Sequence, residues 1–328
     1  MKVCVFGAGA VGSNIAAHLL RASTAEVAIV ARGPHLEAMR RRGLTLKSDT
    51  DAFTVETPLA TDDPASLGPQ DLVLVTLKAV SLPSCAPAIG RLVAPGGAAA
   101  FLSNGVPWWW RHGLDDAPAT LPLLDPDGAL WRDVGPERSL GGVIYSPNAI
   151  VEPGVVVNRA RSRFVFGAPK AGPNPMLDRT VALFREAGME ARASADIRRE
   201  IWLKLLLNAP GNPLAALTRL SAGERAQDEG LVAVASAIIR EVLAVAAAEG
   251  WDLAADVDVE AAVRPAGALG GGRPSMLQDV LAGRPTEVEA LLGQPAAFAK
   301  AHGLATPVVD VVLPLMRGLD RAVRAGRT

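Results

Sequence analysis

The chain is poor in cysteine: Cys4 and Cys85 are its two, far apart in 328 residues. No disulfide framework can be built from them, which excludes the small stapled secreted scaffolds and fits a reducing compartment, so a cytoplasmic location is expected. An excess of charge of one sign is lacking as well, since 33 Lys and Arg against 34 Asp and Glu leave a net charge of −1. A dedicated nucleic-acid binder would carry a basic excess, and no nucleic-acid partner is expected. The short run Arg40-Arg41-Arg42 reads as the solvated end of a helix. No stretch approaches eighteen uninterrupted apolar residues, so no membrane partner is expected. The start superficially resembles a signal peptide, a Lys followed by an apolar run. That run, however, carries three glycines at a meaningful spacing, and no clean small-x-small cleavage site follows it. There are no internal repeats, the one low-complexity tract is Gly270-Gly271-Gly272, and no residues are assigned to a metal.

What is present starts at the N-terminus. Residues 3–13 read Val-Cys-Val-Phe-Gly-Ala-Gly-Ala-Val-Gly-Ser, a strand-like run leading into G-x-G-x-x-G and then a helical apolar pattern (Val11, Ile15, Ala16, Leu19, Leu20). Strand, motif and helix in this order are the fingerprint of a dinucleotide site. Gly7 allows the tight turn, Gly9 lets backbone approach a pyrophosphate, and Gly12 lets helix and strand pack closely. The helix N-terminus then offers N–H groups to the phosphates. The acidic residue that would hydrogen-bond a ribose 2′-hydroxyl is missing at the end of the second strand, Glu26-Val27-Ala28-Ile29-Val30-Ala31, where Arg32 stands instead. An Arg there welcomes a 2′-phosphate, which favours NADP over NAD.

Apolar residues make up 49% of the chain, enough for a globular protein with a sizeable core and two domains at this length. Strand-like runs at 2–7, 26–31, 71–77 and 97–102 alternate with helical or mixed segments. That alternation predicts an α/β fold, a Rossmann domain with a doubly wound, mostly parallel sheet and helices on both faces. Three β-like runs within 139–167, separated by Pro147, Pro153 and Gly154, predict antiparallel hairpins closing the sheet. A short strand is expected at Glu190-Ala191-Arg192-Ala193. From about 176 the pattern is helical, at 176–188, 196–208, 228–249, 276–282 and 287–302. The boundary is placed near 194: a Rossmann domain over 1–194 and an all-helical substrate domain over 195–328.

Within the helical part, Lys204, Asn208 and Asn212 recur every four residues and share one helix face. A lysine and two amides in an otherwise apolar segment are costly to bury unless something polar faces them. This suits a substrate pocket or, equally, the wet face of an interdomain helix. Pro210 and Pro213 should kink or break that helix. Farther on, Ser275 with Gln278 and Thr286 with Glu289 each have the spacing of a capping box, with Glu287 an ordinary first-turn acid.

Several pieces in order carry a resemblance. They are Gly7-Ala8-Gly9-Ala10-Val11-Gly12, Thr76-Leu77-Lys78-Ala79, Asn104-Gly105, the segment from Trp202 through Lys204, Asn208 and Asn212 to Pro213, and Ser275-Met276-Leu277-Gln278-Asp279 with Arg284-Pro285-Thr286-Glu287. Together the chain resembles the ketopantoate reductases (2-dehydropantoate 2-reductases) over nearly its whole length. The resemblance implies an active site in a cleft between the two domains and NADPH-dependent reduction of a 2-oxo acid, ketopantoate, to pantoate. It implies Lys204 as catalytic lysine and Glu287 as active-site carboxylate, with Asn208, Asn212 and Ser275 on the substrate. Asn104 falls at the active-site edge, touching both substrate and cofactor. Gly7, Ala8, Gly9, Ala10, Val11, Gly12, Arg32 and Lys78 are implied on the cofactor. A homodimer is compatible with this. A paralogue acting on another 2-oxo acid or ketone, and a catalytically silent NADPH-binding protein, are the competing readings.

One region departs from the family pattern. After Asn104-Gly105 the chain runs Val-Pro-Trp-Trp-Trp-Arg-His-Gly, and Trp108, Trp109, Trp110 and Trp131 are four of its six tryptophans. Successive side chains diverge, so at least one indole is expected to face a cleft or a partner surface. The segment 106–138 then reads either as a lid that shapes substrate choice or as cover for a sheet edge or subunit interface.

Overall fold

The computed structural model describes residues 1–114, 120–264 and 273–327; the Gly270-Gly271-Gly272 tract lies outside them. The chain divides into two compact units, Met1–Ser103 with Pro107–Glu200, and Asn104–Val106 with Ile201–Thr328.

In the first unit the chain runs β1 (Lys2–Phe6), α1 (Ala10–Ala22), β2 (Glu26–Val30), α2 (Gly33–Arg42), β3 (Leu44–Lys47), β4 (Ala52–Val55), β5 (Ala60–Thr61), β6 (Gln70–Val75), α3 (Leu82–Leu92) and β7 (Val93–Phe101). It continues through β8 (Ser139–Tyr145), β9 (Asn148–Glu152), β10 (Val155–Asn158), β11 (Arg163–Gly167), α4 (Pro175–Glu186) and β12 (Glu190–Ala193). Eight strands form one sheet in the order β12-β11-β8-β7-β6-β1-β2-β5. Every pairing in it is parallel except β8 with β11. β1, β2 and β6 are buried almost throughout because Val, Leu, Ile and Ala occupy both of their faces, as strands covered on both sides require. Arg40, Arg41 and Arg42 close α2 and are exposed, as their sequence suggests. Phe164, Phe166 and Phe184 lock α4 onto the sheet, with Phe184 edge-on to the other two rings at 4.9 and 4.8 Å. Burying each ring is worth about 1.5–3 kcal/mol.

The region 139–167 does more than close the sheet. β8 and β11 pair antiparallel in it, but β9 and β10 leave it for a second sheet, β4-β3-β10-β9. Of that sheet only β10 has a counterpart among the strands read from sequence, the run Gly154–Asn158; β3, β4 and β9 have none. Its strands are four or five residues long, and the edges β4 and β9 have no buried residue, so alternation had little length in which to register.

The three adjacent tryptophans overturn their expectation. Trp108, Trp109 and Trp110 are 2%, 0% and 0% exposed. The backbone at 107–114 is neither strand nor helix but a chain of tight turns, with Trp110 N, His112 N and Leu114 N each donating to the carbonyl three residues back at 2.9–3.2 Å. Successive side chains do diverge, but into different walls of the interior. Trp108 packs edge-on to Phe101 at 5.4 Å and to Trp131 at 6.3 Å. Trp109 lies so close to Gly141 that a Cβ there would be 2.6 Å from the indole. Arg198 secures the segment: Nε donates to Trp110 O at 2.8 Å, Nη1 to Pro169 O at 2.5 Å and Nη2 to His112 O at 2.6 Å. The guanidinium also sits 5.7 Å from the ring centres of Trp109 and Trp110. Burial pushes its pKa down to about 10, so it stays charged at neutral pH.

The chain passes from one unit to the other along α5 (Ile197–Thr218). It then forms α6 (Ala222–Gln227), α7 (Glu229–Ala248), α8 (Val259–Val263), α9 (Ser275–Leu281), α10 (Gln294–Ala301) and α11 (Pro307–Arg324). The break expected at Pro210 and Pro213 does not occur; α5 runs through both. α7 is long and apolar enough, by length and composition alone, to cross a membrane. Here it buries Val232, Ile238, Ile239, Val242 and Val245 and contacts α6, α8, α10 and α11. Both oxygens of its Glu241 accept the first N–H groups of α11, from Val308 and Val309, at 2.8 and 2.9 Å.

Candidate active site

The glycine turn after β1 is built as its motif implies. Gly7 has φ +104°, a conformation glycine adopts at little cost. Its N–H and that of Ala8 both donate to Val30 O at 3.0 Å. A Cβ on Gly12 would stand 2.4 Å from Thr76 Oγ1 and 2.5 Å from Gly7 O, so α1 and β6 approach only because it is absent. At Gly9, the N-cap of α1, no described atom lies within 4 Å of where a Cβ would be, and no side chain caps the helix. An open backbone at the N-terminus of a 13-residue helix, with Ala10 and Val11 in its first turn, fits a dinucleotide pyrophosphate. Arg32 is exposed at the N-cap of α2, clear to meet a phosphate, and Lys78 is half-buried just after β6.

Two supports of this turn were not anticipated. Thr76 Oγ1 donates to Gly7 O at 2.5 Å. His35 Nδ1 accepts from Gly154 N at 3.0 Å, so the neutral ring carries its proton on Nε2 and donates to Ser13 Oγ at 2.9 Å. Burial holds the His35 pKa below its ordinary value, which favours that neutral form.

The second constellation belongs entirely to the other unit. Asn104 is fixed by its successors: Gly105 has φ +81°, a Cβ on it would be 2.4 Å from Ala290 O, and Val106 N donates to that same oxygen at 2.9 Å. Ala290 lies in a π-helical turn, Glu289–Gly293, a feature frequent at functional sites. Held there, Asn104 bridges two charged groups. Lys204 Nζ donates to Asn104 Oδ1 at 2.8 Å, and Asn104 Nδ2 donates to Glu287 Oε2 at 3.1 Å. Asn208 Nδ2 reaches the same Oδ1 at a long 3.5 Å. Four residues expected at the site, Lys204, Asn104, Asn208 and Glu287, therefore form one hydrogen-bonded chain. Burial pushes the Lys204 pKa down to about 8, and the Glu287 carboxylate opposes that shift.

Asn212 and Ser275 pair one step along. Ser275 Oγ and Met276 N both donate to Asn212 Oδ1 at 3.2 Å. This replaces the capping box expected from Ser275 and Gln278. Ser275 lies inside the helix, Pro274 is the N-cap, and Gln278 Nε2 turns back to Arg273 O at 2.8 Å. The second expected box fails too. Thr286 N and Oγ1 both donate to Asp320 Oδ1 on α11, at 2.7 and 2.9 Å, while Glu289 forms a two-point ion pair with Arg317 at 2.8 and 2.7 Å. Arg284 binds Asp279 Oδ1 through Nε and Nη2 at 3.2 and 3.1 Å. The turn presenting Glu287, itself 8% exposed, is thus clamped by Asp279, Arg317 and Asp320. Sequence reasoning missed the last two because α11 was not recognised as an element.

The turn and sheet define a dinucleotide-binding α/β protein. The ketopantoate reductase PanE/ApbA family model matches residues 3–171, and the model of its C-terminal part matches 196–320. A 2-dehydropantoate 2-reductase of Mesorhizobium japonicum is 35% identical over 321 residues, covering 97% of this chain and 98% of its own. The crystal structure of the 2-dehydropantoate 2-reductase from Geobacter metallireducens GS-15 is 29% identical, with TM-score 0.83 and coverage of 97% and 99%. D-mandelate dehydrogenase with NADH, 20% identical over 98% of this chain and 99% of its own at TM-score 0.83, shares the fold. The chain belongs to the ketopantoate reductase family; it is an oxidoreductase that works with a nicotinamide cofactor.

Proposed function

We propose that the protein reduces ketopantoate to pantoate with NADPH, Lys204 acting as general acid. The observation that carries this reading is the chain Lys204–Asn104–Glu287, in which a half-buried lysine with a pKa of about 8 is aimed by an amide that a carboxylate holds. Such a group is protonated at neutral pH yet gives up its proton readily. A nicotinamide cofactor held at the turn of Gly7, Gly9 and Gly12 would supply the hydride for the carbonyl carbon. Lys204 stabilises the charge that builds on the carbonyl oxygen and transfers its proton there, yielding the hydroxyl; it is then reprotonated from solvent. Glu287 keeps the ammonium charged and, through Asn104, oriented. Asn208, Asn212 and Ser275 hold the substrate. Arg32 selects NADPH by pairing with the 2′-phosphate.

The family membership supports the substrate, and the full residue set argues against a silent binding protein, which needs no lysine with a lowered pKa. The test is NADPH consumption with ketopantoate compared with a panel of other 2-oxo acids. Ketopantoate should have the highest kcat/KM. A higher value for another acid would replace the substrate and keep the chemistry, whereas no turnover with any acid would overturn the reading.

A further inference from the structure

The helix face that carries Lys204 and Asn208 has an open position among the described residues. Gly211 follows Asn208 by three positions on α5. At the α-helical repeat its missing side chain would point within about 20° of that of Lys204, inside the arc from Leu207 to Asn208. Glycine is among the poorest helix formers, so one in mid-helix calls for a reason. Three other helical glycines have one in packing: a Cβ on Gly12 would meet Thr76 Oγ1 at 2.4 Å, one on Gly90 would meet Asp133 O at 2.1 Å, and one on Gly293 would meet Glu289 Oε2 at 2.1 Å, whereas Gly33 is open but stands at the first position of α2. At Gly211 no described atom beyond its chain neighbours and its own helix backbone lies within 4 Å. Packing among the described residues does not ask for glycine there. Beside the gap, Leu207 is 48% exposed, an apolar side chain next to a polar row. Gly318 is also uncrowded, but it lies on α11, away from that row.

We propose that Gly211 sets the size limit for the substrate. The space it leaves, walled by Leu207, receives the apolar substituent of the 2-oxo acid while Lys204 and Asn208 engage the polar end. The ligand class this fits is 2-oxo acids whose substituent is branched or carries a ring. The inference rests on the reductase reading above and adds to it the residue that sets substrate size.

Gly211→Ala and Gly211→Val separate the two. Steady-state kcat/KM would be measured with NADPH and three acids: 2-oxobutyrate, ketopantoate and phenylglyoxylate. In Gly211→Val the values for ketopantoate and phenylglyoxylate should fall about tenfold or more, while 2-oxobutyrate stays within about threefold. Gly211→Ala should shift the ranking the same way by less, and its Tm should rise because alanine favours the helix. Should valine unfold the protein, the ranking in the alanine variant decides. A proportional loss on all three acids, or an unchanged ranking, overturns the inference while leaving the reductase reading intact. A wild-type protein that reduces none of the three overturns both.

Discussion

Two stretches of this chain look equally unusual in sequence, and the fold uses them in opposite ways. Trp108-Trp109-Trp110 is a concentration of large apolar surface, and all of it disappears into the interior of one unit. The Lys204, Asn208, Asn212 row is a concentration of polarity in an apolar helix, and the other unit gathers further polar groups around it instead of burying it alone. Each region also contains a cation drawn into the protein, Arg198 buried and Lys204 half-buried. Arg198 is met by three backbone carbonyls and two indole rings, partners that neither titrate nor move. Lys204 is met by an amide and, beyond it, a carboxylate, and its pKa falls to about 8. A guanidinium with fixed donors suits a permanent clamp, whereas an amine whose proton is poised near neutrality suits proton transfer.

If that contrast is right, the largest effect on stability comes from the scaffold cation. Arg198→Met removes three charge-assisted hydrogen bonds and leaves carbonyls of Trp110, Pro169 and His112 without their donor. Unfolding free energy should drop by about 3 kcal/mol or more, read from denaturant melts, with the ranking among 2-oxo acids unaltered. A shifted ranking at unchanged stability would return the tryptophan segment to the role of a substrate lid.

The site cation should behave in the reverse sense. Lys204→Met should lower kcat by about a hundredfold or more, the scale of a lost general acid, with NADPH affinity barely changed. Its effect on stability should be opposite to that of Arg198→Met. The folded-state pKa of Lys204 lies below its ordinary 10.5, so folding carries the cost of a desolvated ammonium below about pH 8, and that cost fades as pH rises from 8 toward 10.5. At pH 7 the methionine variant should melt higher than wild type, and the gap should narrow in alkali. A lower melting temperature at pH 7 would mean that Lys204 is a structural ion.

Glu287→Gln sharpens the same point with a smaller effect. The carboxylate raises the lysine pKa, so its removal should lower that pKa further. The rate should fall with rising pH through about 8 in wild type, following loss of the Lys204 proton, and this limb should move to lower pH in the variant. Asn104 can keep its hydrogen bond to a glutamine oxygen, so kcat at pH 6 should drop only about tenfold. An unmoved limb would detach Glu287 from Lys204.

The two regions also differ in how far sequence could reveal them. The parallel sheet and the glycine turn were legible because each rests on local pattern: apolar strands, fixed glycine spacing, a helix directly after. Lys204, Asn208 and Asn212 were legible as a row because one helix carries them all. Their connection to Asn104 and Glu287 was not readable from spacing, since it joins positions 100 and 183 residues apart; only the resemblance brought them together. In the second sheet β10 registered as a strand, while β3, β4 and β9 were too short to do so. The apparent capping boxes at Ser275 and Thr286 failed because tertiary partners, Asn212 and Asp320, outbid the local ones. The tryptophans misled because divergence of neighbouring side chains was equated with exposure, whereas a chain of turns inside a core can bury all three.

The smallest predicted effect concerns the cofactor. Arg32 stands where an acidic residue would bind a ribose 2′-hydroxyl, and it is exposed at the start of α2. Its exposure sets the size of the effect, since a solvated guanidinium gains from a phosphate only what water and salt leave over. NADPH should bind about tenfold more tightly than NADH, or roughly 1.4 kcal/mol, and the gap should narrow as salt is added. Arg32→Ala should remove most of it by weakening NADPH while leaving NADH nearly unchanged, because NADH has no phosphate at that position. Binding measured by titration of each nucleotide at two ionic strengths separates the cases. Equal affinities in the wild-type protein, or an Arg32→Ala variant that weakens both nucleotides alike, would reduce Arg32 to the first residue of a helix and move the choice of nucleotide elsewhere on the turn.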